Sequence, residues 1–115
     1  MIAELAGKLF IAGAWRPGAG DKVPVENPAT GEVLAHIAAA TPAEVEEAVA
    51  AARKAFRPWA RLAPVERSKA LHRMGDFIAA EADAMARIMT LEQGKPLNEA
   101  KGEILKLAEA CHFYA

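Results

Sequence analysis

Residues 41–44 read Thr41-Pro42-Ala43-Glu44, and this stretch is the clearest sign of a helix start in the chain. A threonine before the first turn, a proline at the first helical position and a glutamate three residues after the threonine form a capping box. Apolar residues then recur at helical spacing until the pattern stops near Pro58. These residues are Val45, Ala48, Val49, Ala52 and Phe56. The sequence therefore predicts an amphipathic helix after Thr41.

Three more helices are predicted downstream. The second opens near Pro64, the third ends at Gly94 because Pro96 opposes a simple continuation, and the fourth starts at Leu97. Gly75 slightly weakens the second helix. The apolar stripes of these three helices are, in order, Leu71, Met74, Phe77 and Ile78; Met85, Ile88, Met89 and Leu91; Ile104, Leu105, Ala108 and Cys111.

Short strands are predicted before the first helix. Residues 9–11 and 14–16 flank a Gly-containing turn and suggest a hairpin, and residues 23–26 and 33–37 suggest two strands joined by 27–32. Pro24 would confine its strand to a sheet edge. We therefore expect an α+β fold, with short N-terminal β-strands or hairpins followed by about four α-helices. The strand region would cover residues 8–40 and the helical region 41–115 of a single incomplete domain.

The composition excludes several classes of function. The chain has 115 residues, a net charge of −1 and one cysteine, Cys111. A balanced charge gives no field for holding nucleic acid or an anionic membrane. From the residues after Met1 we expect neither a signal peptide nor a spanning segment. A lone cysteine cannot form an internal disulfide, which favours a cytoplasmic setting. Because 28 of the residues are alanine, the core should be helical and thin.

No catalytic constellation is found in the residues. His36, His72 and His112 lie on different predicted elements, and a Cys-His pair at adjacent helical positions points about 100° apart, which disfavours a metal site. Cys111 lies on an apolar stripe, which favours a buried structural thiol over a nucleophile. Gln93-Gly94-Lys95-Pro96 fails as a phosphate loop, and no glycine-rich dinucleotide motif follows a strand. A basic run from Arg53 to Arg73 and several glutamates are best explained as solvated helix surface.

Three stretches resemble the aldehyde dehydrogenase superfamily. Residues 9–15 (Leu-Phe-Ile-Ala-Gly-Ala-Trp) resemble its opening segment, and residues 26–33 (Glu-Asn-Pro-Ala-Thr-Gly-Glu-Val) resemble its "NPATGEV" turn. Residues 92–104 contain Glu-Gln-Gly-Lys-Pro-Leu-Asn-Glu-Ala-Lys-Gly-Glu and look most like the NAD(P)-dependent succinate-semialdehyde dehydrogenases. Together with the segments around Phe56 to Trp59 and Arg67 to Arg73, the similarity covers nearly all of residues 8–115.

The resemblance implies an enzyme that oxidises an aldehyde, most simply succinate semialdehyde, to its acid. The chemistry would be thiolate attack, hydride transfer to NAD or NADP, and thioester hydrolysis. The family's catalytic and cofactor-binding residues lie beyond this segment, so no catalytic and no cofactor-binding residue is assigned here, and neither NAD nor NADP is expected to bind this chain alone. The resemblance also places a structural monovalent cation near Glu103, with a backbone carbonyl near Glu26, as the one metal site.

The last predicted helix is still in progress at Ala115, which leads us to expect a chain truncated before the cofactor and catalytic domains. Its partners would then be the remainder of the parent enzyme and, through bare apolar stripes, further copies of itself. The alternative is a free-standing, non-catalytic helical interaction module derived from that segment. A complete active site within 115 residues is disfavoured by the absence of a catalytic constellation.

Overall fold

The computed structural model describes residues 7–115, which form two compact units. The first unit contains residues 7–26 and 33–61, and the second contains residues 27–32 and 62–115. The element bounds, in chain order, are β1 Lys8–Ile11, β2 Ala14–Pro17, β3 Lys22–Glu26, β4 Val33–Ala38, α1 Pro42–Arg61, α2 Pro64–Ala80, α3 Ala82–Gln93 and α4 Leu97–Tyr114. The predicted α+β fold, with short strand pairs before four helices, is confirmed.

The first hairpin turns through two residues in left-handed conformation. β1 pairs with β2 antiparallel, and Ala12 and Gly13 have φ angles of 53° and 86°. Positive φ at both central residues defines a type I′ turn, whose twist matches that of the flanking strands. Phe10 and Trp15 lie opposite each other with ring centroids 4.8 Å apart, a cross-strand aromatic contact that supports this register.

The loop before β3 is hydrogen-bonded to the end of the second strand pair. β3 pairs with β4 antiparallel, and the chain before β3 returns to the residue after β4: Gly20 N–H donates to Ala39 O at 3.0 Å, and Ala39 N–H donates to Asp21 O at 2.9 Å. A Cβ atom at Gly18 or Gly20 would lie 2.6 Å from Ala39 O. Both positions therefore require glycine for close backbone approach.

The predicted capping box starts α1. Thr41 N–H donates to Glu44 Oε2 at 2.8 Å, and Glu44 N–H donates to Thr41 Oγ1 at 3.3 Å. The predicted end near Pro58 is wrong, because the helix continues to Arg61 with Pro58 inside it. Pro58 lies in the last turn, where the missing N–H removes only one bond near the end of the helix.

The second unit is built from α2, α3 and α4. Its core consists of Ile78, Ala82, Ile104, Ala108 and Cys111, with Met85 and Met89 packed against it. Alanines provide much of the contact, as the composition predicted, and Ala100 and Ala86 are also buried. The predicted stripe of α2 is partly bare: Ile78 is buried, whereas Met74 and Phe77 are exposed, and Gly75 is buried beside α4. The small residue at position 75 brings α2 close to α4.

Gly94 closes α3 as predicted. It adopts the left-handed conformation with φ 75°, and its N–H donates to Thr90 O at 2.9 Å. Pro96 then precedes α4. Among residues 7–115, no helix has the length and apolar character needed to span a bilayer.

Candidate functional site

Two of the three resemblance motifs meet in the second unit. The turn at residues 27–32 is held by Asn27, whose Oδ1 accepts the N–H of Ala29 at 2.9 Å and whose backbone oxygen accepts the N–H of Gly31 at 2.7 Å. A Cβ atom at Gly94 would lie 3.1 Å from Pro28 Cγ, so the turn packs on the left-handed residue that ends α3. This contact is structural, because it offers main-chain and proline surface rather than reactive groups.

Glu44 is the most connected carboxylate of the first unit. Besides the capping box, it accepts the N–H of Ala19 at 3.2 Å through each carboxylate oxygen. Hydrogen bonds from Thr41 and then from Ala19 lower the pKa of Glu44 below its ordinary value of 4.5. The Arg16 guanidinium donates hydrogen bonds to both carboxylate oxygens of Glu47, which lies on the next turn of α1. These bonds hold the loop and the hairpin strand to the start of α1.

The two residues proposed for a metal site lie in different units. Glu26 is the last residue of β3, and Glu103 lies on α4, where its Oε1 accepts a hydrogen bond from Lys95 Nζ. No group of three or more His, Cys, Asp or Glu side chains among residues 7–115 is placed to hold a metal ion. The cation site at Glu26 and Glu103 stays a prediction.

Cys111 lies in the core of the second unit and is 6% exposed. Its neighbours are apolar side chains, as expected for the structural thiol that its stripe predicted. Gly18 and Gly20 contact the main chain of Ala38 and Ala39 rather than an open groove, so these glycines do not form a dinucleotide cradle.

The structure brings together two histidines that sequence reasoning kept apart. His72 Nδ1 on α2 and His112 Nδ1 on α4 are 3.0 Å apart, and His112 Nε2 lies 3.5 Å from Asp76 Oδ1. The two histidines are 40 positions apart, and no local spacing signals their contact. Only the crossing of α2 and α4 at Gly75 places them side by side. The two imidazoles and the Asp76 carboxylate thus form a small cluster of titratable groups on the surface of the second unit.

The family model described as "Aldehyde dehydrogenase family" matches residues 15–115. Among curated relatives, the mitochondrial succinate-semialdehyde dehydrogenase of Arabidopsis thaliana is 42% identical over 107 residues, covering 92% of this chain and 20% of its own length. The glutarate-semialdehyde dehydrogenase of Pseudomonas aeruginosa is 41% identical over 106 residues, covering 91% of this chain and 22% of its own length. The chain thus spans about a fifth of the length of these relatives.

A solved structure shares the architecture. A betaine aldehyde dehydrogenase point mutant from Staphylococcus aureus, in complex with NAD+, superposes with a TM-score of 0.89 at 27% sequence identity. The match covers 96% of this chain and 23% of that chain. The strand pairs and four helices of residues 7–115 therefore correspond to one segment of a much longer polypeptide.

Proposed function

The chain belongs to the aldehyde dehydrogenase family, and from this premise we propose that it supplies the N-terminal segment of an enzyme that oxidises an aldehyde to its carboxylic acid with NAD or NADP as acceptor. The observation that carries the proposal is the family match over residues 15–115. The segment's own contribution would be structural: the capping box at Thr41 and the turn packed on Gly94 fix the helices and strands against which the rest of an enzyme folds.

We propose a semialdehyde as the substrate class, with succinate semialdehyde as its first candidate. The motif at residues 92–104 supports this choice, and two similar relatives are named for succinate semialdehyde and glutarate semialdehyde. Their identities to this chain differ by one percentage point, 42% against 41%. The sequence of this segment therefore does not distinguish succinate semialdehyde from the longer glutarate semialdehyde, and both should be assayed.

The backbone of Ala38 and Ala39 occupies the space beside Gly18 and Gly20, so these two glycines offer no open cradle for a pyrophosphate. We therefore place cofactor binding and catalysis in other segments of the enzyme and expect the chain alone to reduce no NAD+ or NADP+.

A cytoplasmic location is part of the proposal, supported by the single buried thiol of Cys111. Cell fractionation with an antibody to the chain tests that location.

A chimera tests the proposed function. Residues 8–115 would replace the matching segment of the Arabidopsis succinate-semialdehyde dehydrogenase, and NADH formation would be followed with succinate and glutarate semialdehydes. We expect an active chimera, an inactive isolated chain, and no loss of activity in the chimera after Cys111→Ala, because that thiol is structural. A folded but inactive chimera would contradict the proposal and favour the free-standing helical module.

A further inference from the structure

One hydrogen bond joins the imidazole of His72 on α2 to that of His112 on α4. The two Nδ1 atoms are 3.0 Å apart, and the rings are tilted by 32° with centroids 5.3 Å apart. At this distance one Nδ1 carries a proton and donates it, while the other accepts it with its lone pair. The bond therefore exists only while at least one of the two rings is neutral. From this geometry we propose that the His72–His112 pair makes the packing of α2 on α4 sensitive to pH in the range in which histidine titrates.

Asp76 sets the positions of the protons in the neutral pair. Its Oδ1 lies 3.5 Å from Nε2 of His112, on the opposite side of that ring from Nδ1. The carboxylate favours a proton at this Nε2, which leaves the Nδ1 lone pair of His112 to accept a hydrogen bond. The Nδ1–H of His72 is then the donor, and Nε2 of the exposed His72 ring keeps a free lone pair.

A first added proton preserves the hydrogen bond. It enters at Nε2 of His72, and the proton already between the rings moves across to Nδ1 of His112. The charge then lies on His112, where the Asp76 carboxylate and the position in the last turn of α4 both stabilise it. The bond now runs from His112 to His72 and gains strength because its donor is charged.

A second added proton breaks the hydrogen bond. The one lone pair that remains is at Nδ1 of His72, and it already accepts the bond, so this proton binds only if the rings separate. Two positive rings at this distance would also repel each other. The unfolded chain binds both protons without this cost, so below about pH 6.5 it holds more protons than the folded chain, and stability falls as the pH drops. Acid should therefore loosen the last turn of α4 from α2.

Solvent exposure limits the size of this effect. The side chains of His112 and Asp76 are 38% and 75% exposed, and His72 is also exposed. Water therefore screens the charges, and the carboxylate offsets part of the charge of the pair. The loss of stability in acid should accordingly match the loss of one hydrogen bond rather than the repulsion of two buried charges.

Other charged groups lie on the helices around the pair. They are the ion pair of Glu66 with Lys69 and the exposed Arg73 on α2, the exposed Glu109 on α4, and the ion pair of Asp83 on α3 with Lys101 on α4. Among residues 7–115, Asp76 is the residue that forms an ion pair with one of the two rings. The variants compared below leave all the other charged groups unchanged, so their contribution is common to every measurement.

The test is urea unfolding of the whole chain between about pH 6.5 and pH 5, a range that stays above the acid region in which Glu44 acts. We expect the equilibrium constant for folding to fall about three- to tenfold across this range. His72→Gln should remove the fall, because the amide oxygen of glutamine accepts the Nδ1–H of a protonated His112. Asp76→Asn should enlarge it, because the pair then lacks the carboxylate that offsets its charge.

His36→Gln is the matched control, because His36 lies on β4 in the other unit. This variant should keep the full response to pH, and circular dichroism verifies the fold of each variant. A fall in His72→Gln equal to that of the unchanged chain, or a fall that His36→Gln abolishes, would overturn the proposal.

Nitrogen-15 NMR of the unchanged chain gives a second test that needs no variant. A coupling between the two Nδ1 nuclei across the hydrogen bond should be present at about pH 6.5 and should weaken towards pH 5. A chain that is folded at pH 6.5 but shows no such coupling would also overturn the proposal.

Discussion

The imidazole of His112 on α4 occupies the space in which a side chain at Gly75 on α2 would lie. A Cβ atom at position 75 would lie 2.7 Å from His112 Nε2 and 3.0 Å from the backbone oxygen of Ala108. The imidazole is able to rotate away, but the Ala108 carbonyl is fixed by its helix. The closest approach of the two helices therefore depends on the absence of a side chain at this one position.

Gly75→Ala should lower the free energy of unfolding by about 1–2 kcal/mol, because overpacking costs typically 1–3 kcal/mol and outweighs the gain in helix propensity. Gly102→Ala is the control, since a Cβ atom there meets nothing within 4 Å. It lies inside α4 and should raise stability by about 0.5–1 kcal/mol. Denaturant unfolding measures both, and changes of the same sign would show that the helices do not meet at Gly75.

Thr41→Ala should lower the free energy of unfolding by about 1 kcal/mol, because it removes the hydroxyl that accepts the Glu44 N–H. Thr41→Ser keeps the hydroxyl and should change stability by only a few tenths of a kcal/mol. Equal loss in both variants, measured by urea unfolding, would mean that the methyl group of Thr41 matters rather than the cap.

The hydrogen bonds to Glu44 should make stability depend on pH below about 4.5. Bonds from Thr41 and Ala19 lower the pKa of Glu44 in the folded chain, so the unfolded chain binds more protons there and stability falls as the pH drops. The contribution is fully present above pH 4.5 and is lost through the lower, folded pKa. Glu44→Gln should flatten this part of the pH–stability curve, whereas Glu46→Gln, in the same turn, should leave it unchanged.

The local features of the fold were predictable from sequence, and the long-range ones were not. The capping box at Thr41, the left-handed end at Gly94 and the buried thiol of Cys111 follow from neighbouring residues, and the structure has all three. The meeting of His72 with His112 depends on how two helices cross, which no spacing within either helix records. The resemblance to aldehyde dehydrogenases is confirmed by the family match, whereas the cation site at Glu103 stays a prediction.

Ala12→Asn should raise the free energy of unfolding by about 0.5–1 kcal/mol. Ala12 has a φ of 53°, a conformation that alanine adopts at a cost and that asparagine tolerates, especially before a glycine in a type I′ turn. Ala14→Asn places the same side chain two residues later, on strand β2, and should give no gain. A thermal scan in which the two variants shift alike would argue against strain at Ala12.

We predict that the isolated chain associates with itself. The apolar stripe of α1 is bare, with Val45 51%, Val49 48% and Phe56 66% exposed. Contiguous exposed apolar surface on a helix favours association. Sedimentation at micromolar concentration should show dimers or larger species, reduced by Val49→Glu but not by Ala84→Glu on α3. A monomer that binds no hydrophobic dye would contradict the predicted self-association and favour the free-standing helical module.

Glu81 is the single residue between α2 and α3, and it hydrogen-bonds to both helices. Its N–H donates to Phe77 O at 3.1 Å, and its own carbonyl accepts the N–H of Met85 at 3.0 Å. The two helices are thus joined through a single residue, so the rotation of α3 relative to α2 depends on the number of residues at the joint. A single inserted residue at this joint would turn α3 by about 100° and carry Ala82 out of the core. In the descent of such sequences, this joint should therefore hold its length, while insertions accumulate in exposed turns that pack on no other element.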